Sequence, residues 1–328
     1  MKSHLIIVES PSKIKTLKKF LDDKYMVEAS VGHIRDLPKS KLGIDTDNNF
    51  DAEYHVSPDS TKTVQTLKKA LQNADELLIA TDPDREGEAI AWHIVDELKP
   101  KIPIKRLVFN EITKSAILDS FNNTRDIDTN LVDAQETRRF LDRMFGFMVS
   151  EKMWFNMKSG VSAGRVQSPA IKILVDREKE RTQFKQNEYW SVNGVFQNKE
   201  SDINAKLIKI GEQKIATGTS FDKKTGKLFN EGDIVLNEKL INTFQEKLKS
   251  DIWKVKKLEK KPVTQKPYAP FITSTLQQEG IRQFRMSAQN VMRTAQTLYE
   301  NGYITYMRTD SVHLSKEAIS ASRKAIEK

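Results

Sequence analysis

The sequence predicts an α/β domain with a parallel sheet, followed by helical, β-rich and helix-strand segments. Three observations indicate this order. Short apolar runs alternate with helical patterns in the first third of the chain, a helical stretch follows, and strand-like alternation with glycine turns comes after it. We therefore expect four domains, at 1–127, 128–183, 184–265 and 266–328.

The composition indicates a soluble globular protein with a heavily charged surface. The chain has 328 residues, enough for two or more domains, with 38% hydrophobic and 30% charged residues. Its formal net charge of +9 is compatible with a polyanion such as DNA or RNA. A solvated lysine-rich surface is the alternative explanation of the charge.

Several classes of site and location are excluded or disfavoured. The chain has no cysteine, which excludes disulfides and thiolate zinc sites, and its five histidines lack metal-ligand spacing, so any metal must be carboxylate-bound. No apolar run is long enough to cross a membrane, and we find neither a secretory signal nor a Walker A pattern. We expect a cytoplasmic protein with no membrane partner and no use of ATP.

The first α/β unit begins with an apolar strand, His4 to Val8. Ser10 is a plausible N-cap and Pro11 a first helical residue, so a helix should follow to about residue 20. Glu9 then lies at the carboxyl end of the strand. Helix 61–73 and strands 77–81 and 105–109 continue the alternation.

An acidic turn, Thr81 to Glu88, follows the strand and precedes a helical pattern from Ala89 to Leu98. Its carboxylates Asp82, Asp84 and Glu86 would lie at the carboxyl edge of the sheet, where ligands bind in parallel α/β folds. Oxygen ligands of this kind suit Mg²⁺. A solvated acidic loop is the alternative.

The middle of the chain carries arginine clusters and a β-rich module. Arg138, Arg139 and Arg143 lie close to Asp142, and guanidinium groups suit phosphates and base edges, although surface ion pairs would explain the cluster equally well. The alternating run 189–196 predicts a strand. The β-rich segment offers no catalytic constellation and suggests a spacer or hinge.

The last segment predicts a helix, Ser287 to Asn301, that ends at Gly302. A strand from Tyr303 to Arg308 should follow, with Tyr306 and Arg308 on the same face. On its own, a tyrosine in a strand is more often a packing residue than a nucleophile.

Six motifs, taken together and in this order, resemble the type IA DNA topoisomerases. They cover nearly the whole chain and are Val8–Lys13, Gly32–Pro38, Asp82–Glu88, Phe109–Thr113, Ser162–Ser168 and Gly302–Ser311. Within that family they look like the bacterial DNA topoisomerase I group. Met307 stands where topoisomerase III usually has proline, and the helicase module of reverse gyrase is absent.

The resemblance implies a Toprim domain and a set of catalytic roles. Tyr306 would be the nucleophile that joins the 5′ phosphate of a cut single strand, with Arg308 and Lys13 as phosphate-stabilising cations. Glu9 would protonate the departing 3′ oxygen. The implied Mg²⁺ ligands are Glu9, Asp82, Asp84 and Glu86.

The resemblance also implies a groove for single-stranded DNA. The residues that match its positions are His33, Arg35, Arg138, Asp142, Phe147, Ser162, Arg165 and Gln167. Phe147 stands where some relatives have tyrosine, so it can stack on a base but cannot donate a hydroxyl hydrogen bond.

The implied activity is Mg²⁺-dependent, ATP-independent relaxation of negatively supercoiled DNA by a nucleoid-associated, cytoplasmic monomer. The family's toroid closes when the chain returns after the tyrosine domain, whereas this sequence ends 22 residues past Tyr306. We therefore expect a toroid lacking its return half and no full relaxation by this chain alone. The alternatives are a non-catalytic DNA-binding module and a Toprim nuclease or primase-like enzyme.

Overall fold

The chain alternates strands and helices up to residue 106, is mainly helical from 114 to 183, and adds short hairpins before a helical end. The computed structural model describes residues 3–157, 159–197, 201–250, 252–314 and 316–327. The strands are β1 (His4–Val8), β2 (Tyr25–Ala29), β3 (Arg35–Asp36), β4 (Ile44–Asp45), β5 (Asp51–Ala52), β6 (His55–Val56), β7 (Glu76–Ile79), β8 (Ile104–Arg106), β9 (Asn193–Gln197), β10 (Asp202–Lys206), β11 (Lys209–Ile210) and β12 (Gln213–Lys214). The helices are α1 (Pro11–Leu17), α2 (Thr61–Leu71), α3 (Arg85–Leu98), α4 (Lys114–Asn122), α5 (Thr129–Met144), α6 (Ser150–Asn156), α7 (Gln167–Gln183), α8 (Glu238–Ser250), α9 (Thr273–Phe284), α10 (Ala288–Glu300) and α11 (Lys316–Ile326).

A parallel sheet with strand order β2-β1-β7-β8 organises the first domain. Strands β1 and β7 are apolar almost throughout because helices cover both faces of the sheet. The predicted strands 77–81 and 105–109 begin one residue earlier than expected and end at Ile79 and Arg106. The carboxyl ends of β1 and β7 therefore lie side by side, which brings Glu9 close to the acidic turn.

The sheet has a separate apolar core on each face. On one face, Leu5 and Ile7 pack with residues of α2 and α3. On the other face, Ile6 and Val8 pack with residues that come from the C-terminal part of the chain, including Tyr299 and Tyr306. The segment that carries Tyr306 is thus a part of the hydrophobic core of the α/β domain.

The predicted strand 303–308 is wrong. Gly302 turns the chain with φ of +78°, and a Cβ at this position would lie 2.7 Å from the carbonyl oxygen of Ile112. The following residues form bends, and the Tyr306 amide donates one backbone hydrogen bond to the Asn110 carbonyl, at 2.7 Å. A strand needs a ladder of such bonds along a partner, and a single bond does not provide one.

Residues 164–265 form one compact unit, and 1–163 with 266–328 form the other. The 164–265 unit contains α7, the antiparallel pairs β9–β10 and β11–β12, and α8. The strand expected at 189–196 begins only at Asn193. The division into four domains stays a prediction. Among the described residues, no helix combines the length and the apolar character needed to cross a membrane.

Candidate active site

The acidic turn lies between β7 and α3, as the sequence predicts. Asp84 is the N-cap of α3, and its carboxylate accepts a hydrogen bond from the Gly87 amide at 2.9 Å. A Cβ at position 87 would collide with the backbone of Asp82, so only glycine lets the turn close this tightly. The helix start therefore fixes where Asp82 and Asp84 lie.

Three ionisable side chains, those of Glu9, Lys13 and Asp82, meet at the carboxyl ends of β1 and β7. The Lys13 ammonium, fully buried, donates to Glu9 at 3.2 Å and makes a short ion pair with Asp82. Burial first, and the neighbouring Asp82 second, raise the pKa of Glu9 to about 8. Although burial opposes it, the hydrogen bond with Glu9 and the charge of Lys13 hold the pKa of Asp82 below its ordinary value. Glu9 is therefore protonated at neutral pH while Asp82 is ionised.

Glu86 points to a different set of partners. His33 Nε2 lies 3.2 Å from its carboxylate, and the Gln135 amide donates to the same oxygen at 3.2 Å. The hydrogen bond from His33, more than any other contact, lowers the pKa of Glu86 to about 2. The side chain is thus ionised at any physiological pH.

Tyr306 lies directly over the acidic turn. The residue is 6% exposed, and its hydroxyl donates to Asp84 Oδ2 at 2.5 Å. Arg308 Nη1 lies 3.8 Å from the same oxygen. Burial, followed by the charge of Asp82 and the bond to Asp84, raises the pKa of Tyr306, and Arg308 opposes this shift. Tyr306 and Arg308 therefore both lie near the same Asp84 oxygen although they do not lie in a strand, and their catalytic roles stay a prediction.

A cleft of about 680 Å³ joins these groups. Its lining includes Glu9, His33, Asp82, Asp84, Glu86, Arg138, Gln296 and Arg308. The four carboxylates predicted as metal ligands therefore share one cavity, and their oxygen-only chemistry suits Mg²⁺.

The same carboxylates do not converge on one point. Among the described residues no group of three acidic, histidine or cysteine side chains is placed to hold a metal ion. Glu9 and Asp82 are bonded to Lys13, and Asp84 to Tyr306 and the helix start. A cation bound at this cleft would therefore take few protein ligands and keep most of its waters.

A buried ion pair holds the backbone of the acidic turn. Arg106, fully buried, donates from Nε to Glu88 at 3.1 Å and from Nη2 to the Asp82 carbonyl at 2.7 Å. Its Nη1 donates to the carbonyls of Ile79, Thr81 and Leu107. Glu88, the last acidic residue of the motif, is therefore buried under the acidic turn, where it holds Arg106, and it does not line the cleft.

Four of the predicted DNA-binding residues line two adjoining cavities near the acidic turn. His33 and Arg138 line the cleft, and Asp142 lines an adjoining cavity of about 340 Å³ with Arg35. The Arg35 guanidinium is largely buried, where it donates to His93 and Asp96. A contact between Arg35 and DNA therefore competes with these partners.

The remaining groove residues lie further from the acidic turn in sequence. Phe147 is on a π-helical turn, Phe145–Val149, with the Arg143 guanidinium 4.4 Å from its ring centroid. Ser162 is exposed at the end of the first unit. Arg165 and Gln167 belong to the 164–265 unit. The DNA-binding role of all of these residues stays a prediction.

Comparison with known proteins agrees with this geometry. A family model described as Toprim domain matches residues 4–112, and one described as DNA topoisomerase matches residues 126–328. The second match covers more than half of the chain. This chain belongs to the type IA DNA topoisomerase family. The fold class predicted from the sequence, a Toprim α/β domain followed by helical and β-containing segments, is confirmed.

Individual relatives show how much of a topoisomerase is present. DNA topoisomerase 1 of Synechococcus elongatus is 48% identical over 98% of this chain and 38% of its own length. That of Mycolicibacterium smegmatis is 47% identical over 97% of this chain and 36% of its own. The full-length topoisomerase I structure from Thermotoga maritima matches with a TM-score of 0.77 and 39% identity, over 98% of this chain and 52% of that one. The chain therefore spans well under two thirds of these relatives.

Sequence reasoning missed three residues that shape the site. Gln135 on α5 bonds to Glu86, Arg106 on β8 holds the acidic turn, and Tyr299 on α10 packs against Tyr306. Tyr299 lies seven residues before Tyr306, on the apolar side of a predicted helix. That position predicts that Tyr299 is buried, but it does not predict which residue Tyr299 contacts. Arg106 follows another basic residue, Lys105, in the strand Ile104–Arg106, so the local sequence does not single it out for burial.

Proposed function

We propose that the protein to which this chain belongs relaxes negatively supercoiled DNA by cutting one strand, passing another and rejoining the first. The observation that carries this proposal is the hydrogen bond from the Tyr306 hydroxyl to Asp84, which lines the Toprim cleft together with Arg308 and Glu9. Lys13 is bonded to Glu9 in the same site. A nucleophile, two cations and a protonated carboxyl are the groups that transesterification of a phosphodiester requires. DNA is the substrate in the names of the relatives, and we extend it to this chain.

In the proposed cleavage step, the Tyr306 oxygen attacks the phosphorus and forms an O–P bond, and the bond from phosphorus to the 3′ oxygen breaks. The phenol proton leaves to water. Arg308 and Lys13 stabilise the charge on the phosphoryl oxygens. Glu9, with its pKa raised to about 8, gives its proton to the departing 3′ oxygen. Rejoining reverses each of these transfers, so no ATP is needed.

Divalent metal use is typical of a Toprim domain, and we propose Mg²⁺ here. Asp84 and Glu86 would hold it, with Asp82 and Glu9 as further ligands once Lys13 releases them. When bound, the ion would supply positive charge that holds the phosphates of the cut ends for rejoining. Replacing both Asp82 and Asp84 with alanine should then weaken the response of rejoining to Mg²⁺ more than it weakens cleavage.

Covalent trapping tests the proposal. The protein is mixed with an oligonucleotide labelled at its 3′ end, so that the label stays on the fragment whose 5′ phosphate joins Tyr306, and the reaction is stopped with denaturant. We expect a labelled protein adduct that Tyr306→Phe abolishes. The control, Tyr303→Phe, changes an exposed hydroxyl in the same segment and should form the adduct normally. Free cut DNA without an adduct would instead indicate a nuclease.

A further inference from the structure

Val31 has a backbone conformation that its residue type disfavours. It follows strand β2, and its φ is +58°, in the left-handed region. Glycine adopts this region readily and asparagine tolerates it, whereas a β-branched residue there is an outlier because its Cβ crowds the following carbonyl oxygen. Valine at position 31 therefore costs free energy that asparagine or glycine would not.

The other described non-glycine residues with positive φ are explained by their places in the fold. Lys99 and Arg285 end helices α3 and α9, where a left-handed residue is usual. Asn49 and Phe50 lie in the connection between the paired strands β4 and β5. Val31 neither ends a helix nor joins two paired strands, so its conformation requires a different explanation.

The backbone at Val31 carries the chain from the sheet to the cleft. The amide of the next residue, Gly32, donates to the Glu9 carbonyl at 2.9 Å, and Gly32 and His33 both line the cleft. This bond uses the amide of residue 32, so any residue that adopts positive φ at position 31 would allow it. The path of the backbone therefore does not explain why the side chain is that of valine.

The side chain of Val31 is unusually exposed for a large apolar group. The residue is 62% exposed, the highest value among the large hydrophobic residues in the range 3–127. It does not line the cleft itself, but the two residues that follow it do. An exposed apolar side chain on a disfavoured backbone brings no evident stability to the protein alone. Strain of this kind is concentrated at binding and active sites.

We propose that Val31 is a DNA-binding residue that packs against a nucleoside of the single strand held in the cleft. This inference rests on the proposed function, which places a DNA phosphate among the cleft residues. Because the lining is mainly charged and polar, a bound phosphate would direct its sugar and base towards the edge of the cavity. Sugar and base have apolar faces, and burying a valine side chain against them is favourable without any opposite charge.

Three substitutions separate the apolar contact from the backbone strain. Val31→Asn removes both, Val31→Thr keeps the β-branched shape but replaces a methyl group with a hydroxyl, and Val31→Ile keeps both. Val31→Asn should raise the melting temperature by about 2 °C, and the other two should change it by less than about 1 °C. Affinity for single-stranded DNA should fall about fivefold for Val31→Asn and about threefold for Val31→Thr, and change less than about twofold for Val31→Ile.

Binding is measured by fluorescence anisotropy with a labelled single-stranded oligonucleotide in EDTA, at several salt concentrations. Every protein carries Tyr306→Phe, so that no cleavage occurs. An apolar contact releases no counterions, so the slope of log affinity against log salt should be the same in all Val31 variants. Val195→Thr is the matched control, because that valine is also 62% exposed but belongs to the 164–265 unit. It should leave DNA affinity unchanged.

Four results would overturn the inference. Unchanged affinity for Val31→Asn and Val31→Thr would show that the side chain does not touch DNA, and an equal fall for Val195→Thr would show a general effect of apolar surface. A slope lowered by about 0.7 would show that a phosphate contact had been lost instead. A lower melting temperature for Val31→Asn would show that valine stabilises the free protein.

Failure of the proposed function gives a different result, the absence of a covalent adduct with the unmodified protein. An adduct that forms normally, together with unchanged affinity of the Val31 variants, would leave the proposed function standing and reject the role of Val31. A protein that binds no single-stranded DNA would reject both.

Discussion

The Tyr306 hydroxyl donates a 2.5 Å hydrogen bond to Asp84, the residue that also caps helix α3. The proposed nucleophile is therefore held by a side chain of the acidic turn in the DNA-free protein. Asp84 contributes to the raised pKa of Tyr306, which makes the phenol a poorer nucleophile in this state. The bond positions Tyr306 at the cleft, and it must be released before attack.

Asp84→Asn should separate these two effects. Asparagine is as good an N-cap as aspartate, so stability should change by less than about 1 kcal/mol. Loss of the negative charge lowers the pKa of Tyr306, so cleavage of single-stranded DNA in EDTA should rise at a lower pH than in the unmodified protein. The measurement is the adduct formation rate between pH 6 and 9. A rate reduced about a hundredfold would instead identify Asp84 as the group that takes the phenol proton.

His93 should make the protein sensitive to acid. Burial first, and the nearby Arg35 second, lower the pKa of His93 to about 3. Its Nδ1 accepts from the Arg35 guanidinium, as a neutral imidazole must. Because the unfolded state binds the proton near pH 6.5, the stability that neutral His93 contributes is complete above that pH. It is lost as the pH falls towards 3, by about 2 kcal/mol at pH 5.

The test compares urea unfolding at pH 7 and pH 5. Carboxylates also titrate in this range, so the informative quantity is the difference between the unmodified protein and His93→Gln, whose amide oxygen can still accept from Arg35. His93→Gln should lose less stability between the two pH values. His55→Gln, an exposed histidine, should behave as the unmodified protein does. Parallel losses in all three proteins would contradict the assignment.

Arg106→Met should destabilise the fold by about 3 to 5 kcal/mol, because four carbonyls lose their buried donor, whereas Glu88 keeps the Arg125 guanidinium and the Asp128 amide. Lys105→Met, at the adjacent residue, removes a surface pair with Glu76 and should cost less than about 1 kcal/mol. Urea unfolding of both variants provides the comparison. Similar midpoints would mean that Arg106 is dispensable to the acidic turn.

Arg138 lines the cleft on an exposed face of α5, and we expect it to bind a phosphate. Arg138→Ala should weaken binding of a single-stranded oligonucleotide and lower the slope of log affinity against log salt by about 0.7. Lys69→Ala, an exposed lysine on α2, has the same charge change away from the cleft. If the slope of log affinity against log salt falls by the same amount in both variants, Arg138 contributes only general positive charge.

Local sequence patterns were sufficient to predict those parts of the site whose residues are close together in the sequence. The apolar strand before the acidic turn and the helical pattern after it predicted where Asp82 and Asp84 would lie. The bond from Tyr306 to Asp84 joins residues 222 positions apart, and no periodicity encodes such a pair. The strand expected at 303–308 failed for a related reason. Its residues favour extended backbone, but their backbone groups bond to scattered partners, the carbonyls of Leu298 and Asn110 and the Thr273 hydroxyl, and not to a neighbouring strand.

The way the Tyr306 segment is attached also has a thermal consequence. Among the described residues, three hydrogen bonds tie this part of the chain to the α/β domain: from the Tyr306 amide to Asn110, from the Tyr306 hydroxyl to Asp84 and from the Thr16 hydroxyl to Glu300. Most of the contact, however, is apolar: Tyr306 and Met307 are buried in the same core cluster as Ile6 and Val8. Hydrophobic attraction weakens on cooling. Separating the nucleophile from the sheet should therefore become easier in the cold, the reverse of what a contact built on hydrogen bonds alone would do.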